Sequence, residues 1–200
     1  MKITLRKLVL IGVMMASARM FGGTPVALTL VSAYPSDAEV YGLHLSFFGG
    51  PCAESMVESV SGLSIGGFDA AVSDEMQGVQ ISGLFASGGF VRGVQVAGCF
   101  SAAGDAAGVQ LGGVTSTTGD FCGVQIAGVF SQTEMCRGLQ MAFCNESASM
   151  CGVQIGVLNF AIPAKDGWVV QLGLVNGIGK DEKSTWTDGI RYLPIMNIGW

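Results

Sequence analysis

The residues closest to a chemical motif are Gly62-Leu63-Ser64-Ile65-Gly66, which match the Gly-x-Ser-x-Gly nucleophile elbow. That elbow needs a sharp strand-to-helix turn to lift the serine above a sheet, with a histidine and an acid later in the chain. Here the single histidine, His44, lies upstream and no helical pattern follows, so Ser64 reads as structural. His44 alternates with Leu43 and Leu45 as a strand residue would, and one histidine without further ligands does not make a metal site. The cysteines lack Cys-x-x-Cys spacing, which argues against zinc. Gly177-Ile178-Gly179-Lys180 has a phosphate-loop flavour, but Asp181 stands where Ser or Thr is required, and the segment reads as a flexible turn. Asp74, Glu75, Asp105 and Asp120 read as solvated turn charge, and Asn145-Glu146-Ser147 as a polar turn. The chain therefore offers no catalytic, cofactor-binding or metal-binding residue, and an enzyme is not expected.

One periodic signal absorbs most of these residues. Its cores are Gly78-Val79-Gln80-Ile81, Gly93-Val94-Gln95-Val96, Gly108-Val109-Gln110-Leu111, Gly123-Val124-Gln125-Ile126, Gly138-Leu139-Gln140-Met141 and Gly152-Val153-Gln154-Ile155. From Gln80 to Gln140 the glutamines recur at one constant step, and the step from Gln140 to Gln154 is a single residue shorter. Gly62-Leu63-Ser64-Ile65 is a degenerate copy with Ser in the Gln position, and Val169-Val170-Gln171-Leu172 one with Val in the Gly position. Within a core, Val124 and Ile126 alternate with Gln125 and Ala127, the two-residue period of a strand. Between cores lie segments rich in turn formers, such as Ala86-Ser87-Gly88-Gly89, Ala103-Gly104-Asp105 and Thr117-Thr118-Gly119-Asp120. The fold class is all-β, built of tandem repeats of about 15 residues.

Composition sets the surroundings. Half of the 200 residues are apolar and only 12% are charged, about half the charged share of an ordinary soluble domain. Such a chain must bury that excess in a core, a partner or lipid. Lys2, Arg6 and Lys7 precede an uncharged run to Ala16 and the small-x-small pattern Ala16-Ser17-Ala18, so residues 1–18 read as a signal peptide. Of ten basic residues, seven then remain against fifteen acidic ones, a net charge near −8. Nucleic-acid binding and a polybasic membrane patch are both disfavoured. Residues 19–200 read as one domain: flanking strands over 25–48, the array over about 60–176 and a C-terminal strand over 189–200, with longer loops at 49–60 and 178–188.

The unit Gly152-Val153-Gln154-Ile155-Gly156-Val157-Leu158-Asn159 resembles the tandem Gly-x-Gln-x-Gly units of the bacterial surface-repeat-containing protein family. Val40-Tyr41-Gly42-Leu43-His44-Leu45 is similar to the segment before that family's array, and Leu193-Pro194-Ile195-Met196-Asn197-Ile198-Gly199-Trp200 to its aromatic-ended terminus. Copies from Gly78 to Gly138 depart from the pattern: three, at Gly78, Gly93 and Gly123, carry an extra residue before the second Gly. The resemblance implies the cell surface or outer membrane of a two-membrane bacterium and no transferable activity.

Two architectures fit one strand per repeat. A parallel β-solenoid, the favoured form, stacks each glutamine on the last in an internal amide ladder. An antiparallel outer-membrane-type β-barrel is the alternative, supported by the high hydropathy and by Tyr192, Met196, Ile198 and Trp200 at alternating positions. Beyond Cys52, Cys99, Cys122 and Cys144, a parallel stack sets Cys136 beside Cys151, one full repeat later, as the disulfide candidate, whereas a hairpin would bring Cys144 to Cys151. The functional expectation is a structural or interaction protein whose partners are envelope components or outer-membrane lipid. The barrel alternative implies a small pore or anchor.

Overall fold

A computed structural model describes residues 24–29, 33–34, 39–48, 57–180 and 190–200. The expected signal peptide, Cys52 and most of both expected loops lie outside the described residues.

The described chain is strand almost throughout: β1 (Thr24–Thr29), β2 (Ala33–Tyr34), β3 (Glu39–Phe48), β4 (Val57–Ser82), β5 (Phe85–Ala97), β6 (Phe100–Met141), β7 (Cys144–Ile155), β8 (Leu158–Pro163), β9 (Val169–Gly179) and β10 (Ile190–Gly199). They form one sheet in the order β10-β9-β8-β7-β6-β5-β4-β3-β1-β2. Every pairing from β1–β3 to β8–β9 is parallel, while β2 and β10 pair antiparallel at the two ends. Repeat stacks on repeat in register: Gln80 opposite Gln95, Gln95 opposite Gln110, Gln140 opposite Gln154, Gln154 opposite Gln171. The molecule is a β-solenoid of about nine turns, and the outer-membrane-type barrel is excluded. A barrel closes by joining its edge strands, and here β2 and β10 stand at opposite ends of the stack.

The intervals read as turns are the solenoid's second wall. Gln95 crosses the interior to donate from Nε2 to the Ala102 carbonyl at 3.0 Å, and Gln80 does the same to Ser87 at 3.0 Å. Strand segments on either side of each corner therefore face each other across a thin interior. Asn145 and Ser147, placed in a polar turn by sequence, are fully buried on that wall within β7. Likewise Gly177-Ile178-Gly179 is buried strand in β9, opposite Tyr192, Arg191 and Ile190 of β10, and not a flexible turn.

Glycine spaces the stack. Gly62, Gly78, Gly93, Gly108, Gly123, Gly138 and Gly152 all hold φ between +123° and +150°, a conformation that L side chains rarely adopt. A Cβ added at any of them would overlap the carbonyl oxygen of the glycine one coil earlier. An apolar column of Met76, Val91, Ala106, Phe121, Cys136 and Met150 completes the interior, with Ala106 leaving room for Phe121.

Cys136 and Cys151 are not side by side. The coil between them is one residue short, because its corner is Phe143-Cys144 where the preceding coil has Gly128-Val129-Phe130. This sets Cys136 opposite Met150 and Cys151 opposite Arg137. A one-residue slip exchanges the faces of a strand, so Cys136 is buried in the column while Cys151 is half-exposed outside it, and both thiols are free. Burial pushes the Cys136 thiol up to about 12, with Cys122 and Cys151 adding to the rise, which leaves it protonated and inert.

The glycine column yields a paired prediction. Gly123→Ala should destabilise by about 3 kcal/mol or more, since it combines strain at positive φ with a backbone overlap. Gly128→Ala, whose added Cβ would lie 3.8 Å from its nearest neighbour, should shift stability by less than about 1 kcal/mol. Thermal unfolding of the two variants measures the contrast.

Candidate interaction surface

The surface is generated from the inside. Each repeat glutamine Gln80, Gln95, Gln110, Gln125, Gln140 and Gln154 is fully buried. From Gln95 onward, Nε2 donates to the Oε1 of the glutamine one coil earlier, as in Gln95 to Gln80 (2.9 Å), Gln125 to Gln110 (2.7 Å) and Gln154 to Gln140 (2.8 Å), and Gln171 continues the column to Gln154 at 2.8 Å. The second Nε2 hydrogen goes to the far wall, as from Gln95 to the Ala102 carbonyl, and hydroxyls of that wall also lie within hydrogen-bond distance of Oε1: Ser101 of Gln95, Thr117 of Gln110, and Ser131 and Thr133, which share that of Gln125.

A second column runs up the far wall. Asn145 donates to Asn159 Oδ1 and Asn159 to Asn176 Oδ1, both at 2.8 Å. Its donors point toward the C-terminal neighbour, whereas the glutamine donors point toward the N-terminal one. Sequence carried its signal, since Asn145, Asn159 and Asn176 are separated by the same two steps as Gln140, Gln154 and Gln171.

Because a strand alternates faces, a buried glutamine turns both neighbours outward. The residue before it is Leu63, Val79, Val94, Val109, Val124, Leu139, Val153 or Val170, and the one after it Ile65, Ile81, Val96, Leu111, Ile126, Met141, Ile155 or Leu172, all partly or well exposed. The adjoining corner is apolar as well. Phe85 and Phe100 stack at 5.5 Å between centroids, and Val129, Phe143 and Leu174 are 61%, 55% and 70% exposed. Counting from the residue before each glutamine position to the fifth after it, the nine coils carry one acid, Asp69, and it is buried.

Charge lies on the other edge and the far wall: Asp74, Glu75, Arg92, Asp105, Asp120, Glu134, Arg137 and Glu146. There Arg92 pairs with Glu75 at 3.3 Å and sits 4.7 Å above the Phe90 ring, and the Asp105 carboxylate accepts from the Asp120 backbone N–H at 2.7 Å. Among the described residues no group of three or more His, Cys, Asp or Glu could hold a metal ion.

At the N-terminal end, His44 and Ser64 occupy the glutamine position of successive coils, fully buried and 2.9 Å apart between Nδ1 and Oγ. Ser64 is thus sealed inside the stack, facing no cleft. Asp69 was not singled out by sequence, and nothing in its local pattern marks it as inward-facing. Among the described residues neither of its carboxylate oxygens has a well-formed hydrogen bond, and nor does Ser46 Oγ nearby on the preceding coil. Burial pushes Asp69 up to about 6 while the Ala70 N–H pulls the other way, and burial lowers His44 to about 4.

These groups set opposite pH dependences. An acid with a raised folded pKa holds its proton more tightly when folded, so stability falls as pH rises from about 4 to about 6; a histidine with a lowered one loses stability as pH falls from 6.5 toward 4. Asp69→Asn should therefore raise the melting temperature above pH 6, with the gain vanishing near pH 4, while His44→Gln should flatten the acid limb. Melting curves across that range separate the two.

The ladder makes a second prediction. Gln125→Ala strands the amides of Gln110 and Gln140 together with the hydroxyls of Ser131 and Thr133, and should cost roughly 3–5 kcal/mol. Gln171→Ala, at the ladder's end with its Oε1 already unpartnered among the described residues, should cost about half as much in urea unfolding.

Compared with protein-family models, with curated proteins and with solved structures, the chain matches none.

Proposed function

We propose that this chain is a non-enzymatic repeat protein of the bacterial envelope, exported and serving as a structural or interaction scaffold. The observation that carries this reading is the segregation of charge around the coil: among the described residues one face and its corner expose no charge along the solenoid, while the exposed acids and bases lie on the opposite edge and wall. A chain that needed only to be soluble gains nothing from such segregation, and a continuous apolar surface of this size marks a site of association. The interior supports the same reading, because among the described residues the glutamines from Gln80 to Gln171 direct their side-chain donors to one another and to the far wall.

Export is supported by Lys2, Arg6 and Lys7 ahead of the apolar run and Ala16-Ser17-Ala18. The resemblance to surface-repeat proteins points to the same compartment, with envelope components as partners. In a Gram-negative host making the full chain, the protein is expected in the envelope fraction, with residues 1–18 removed as judged by mass spectrometry, and released by carbonate or urea without detergent. Recovery from the cytosol with residues 1–18 still attached would overturn the assignment.

A further inference from the structure

The size, charge and period of the apolar strip specify what covers it. We infer that it is a second copy of this chain, packed face to face about a two-fold axis, an inference that rests on reading the strip as an interaction surface. Nine coils at about 4.8 Å extend roughly 43 Å, and the flat part of the strip, from the residue before each glutamine to the second after it, spans roughly 13 Å, an area of roughly 560 Å² before the corner is added. The largest apolar patch on a typical monomer is about 300–600 Å². A standard specific interface takes about 800 Å² from each partner. The flat part alone reaches the upper end of the first range, and the exposed corner row of Phe85, Phe100, Val129, Phe143 and Leu174 carries the strip toward the second figure.

Period argues for self-recognition. The ridges on this face repeat once per coil, with Val94, Val109 and Val124 in one row and Val96, Leu111 and Ile126 in the next. Sheets pack face to face about 10 Å apart when side-chain rows interdigitate, and rows of one spacing mesh along their full length only with rows of the same spacing. A two-fold contact joins a patch to itself, and this patch has no exposed charge to oppose its own image. The acidic edge stays in water. Lipid is the weaker occupant, because the acids Glu75, Asp105, Asp120 and Glu134, all at least partly exposed, outnumber Arg92 and Arg137 beside the strip, leaving no basic rim for anionic headgroups.

The test is the mass of the purified mature chain by light scattering and sedimentation velocity at micromolar concentration. The wild type is expected at twice the monomer mass, and Val109→Lys with Val124→Lys at the monomer mass with an unchanged β-sheet spectrum. Ala107→Lys, on the charged edge, should remain dimeric. If the double lysine variant does not fold, Val109→Thr with Val124→Thr keeps the β-branched shape and should weaken the dimer at least tenfold. A monomeric wild type that floats with phosphatidylcholine vesicles, and loses that property in the variant, overturns the second copy but leaves the strip an interaction surface. A monomeric wild type indistinguishable from its face variant in both assays overturns both.

Discussion

A buried primary amide has two donors and two acceptor lone pairs, and few environments satisfy all four. Here the solution is another amide one strand spacing away, together with a carbonyl and a hydroxyl from the opposite wall. Gln125 shows the full set: Gln110 on one side, Gln140 on the other, and the hydroxyls of Ser131 and Thr133 across the interior. This arrangement ties each coil from Gln80 to Gln171 to the next at one register only, since a slip of one residue would carry the glutamine to the outer face and leave its partners unmatched. The glycine column works in the same direction, because the coil can approach its neighbour that closely only where no Cβ intervenes.

The outer surface follows from this inner one. Fixing glutamine inward forces its neighbours outward, and in this chain those neighbours are valine, leucine, isoleucine and methionine. β-branched and aliphatic residues suit a flat pleated sheet, so the amide ladder and the apolar face share one strand. The two walls thus divide the work. The glutamine wall presents the uniform apolar rows, while the far wall carries charge and follows corners of varying length, so that the loss of one residue at Phe143-Cys144 leaves the ladder undisturbed.

What was legible in the sequence was whatever recurs at fixed phase. Gly78-Val79-Gln80-Ile81 and its copies announced a one-strand period, and that period distinguishes a parallel stack from a meander of hairpins. The second wall is not legible because Thr117 and Asn145 belong to residue types that favour turns, and only their buried hydrogen-bond partners reveal them as inward-facing. The Cys136 and Cys151 pairing was lost to a single missing residue in one corner, a difference that spacing alone does not assign to either wall. Asp69 was invisible for a similar reason: it lies in a degenerate coil whose phase the glutamines do not mark.

The opposite sense of the two amide columns bears on the ends of the solenoid. A line of aligned amides is a line of aligned dipoles, each polarising the next, and a single such column would build up partial charge of opposite sign at its two ends. The asparagine column runs against the glutamine column over the last coils, so their fields oppose where they lie side by side. Each also ends in a buried carbonyl that receives no proton from the described residues, Gln171 Oε1 for one and Asn145 Oδ1 for the other. The glutamine column terminates under β10, while the asparagine column starts in mid-stack, beside Ser131, whose hydroxyl is already given to Gln125. The array therefore has a built-in polarity, and inserting whole repeats between Asn145 and Gln171 would move these two unsatisfied oxygens apart without removing either.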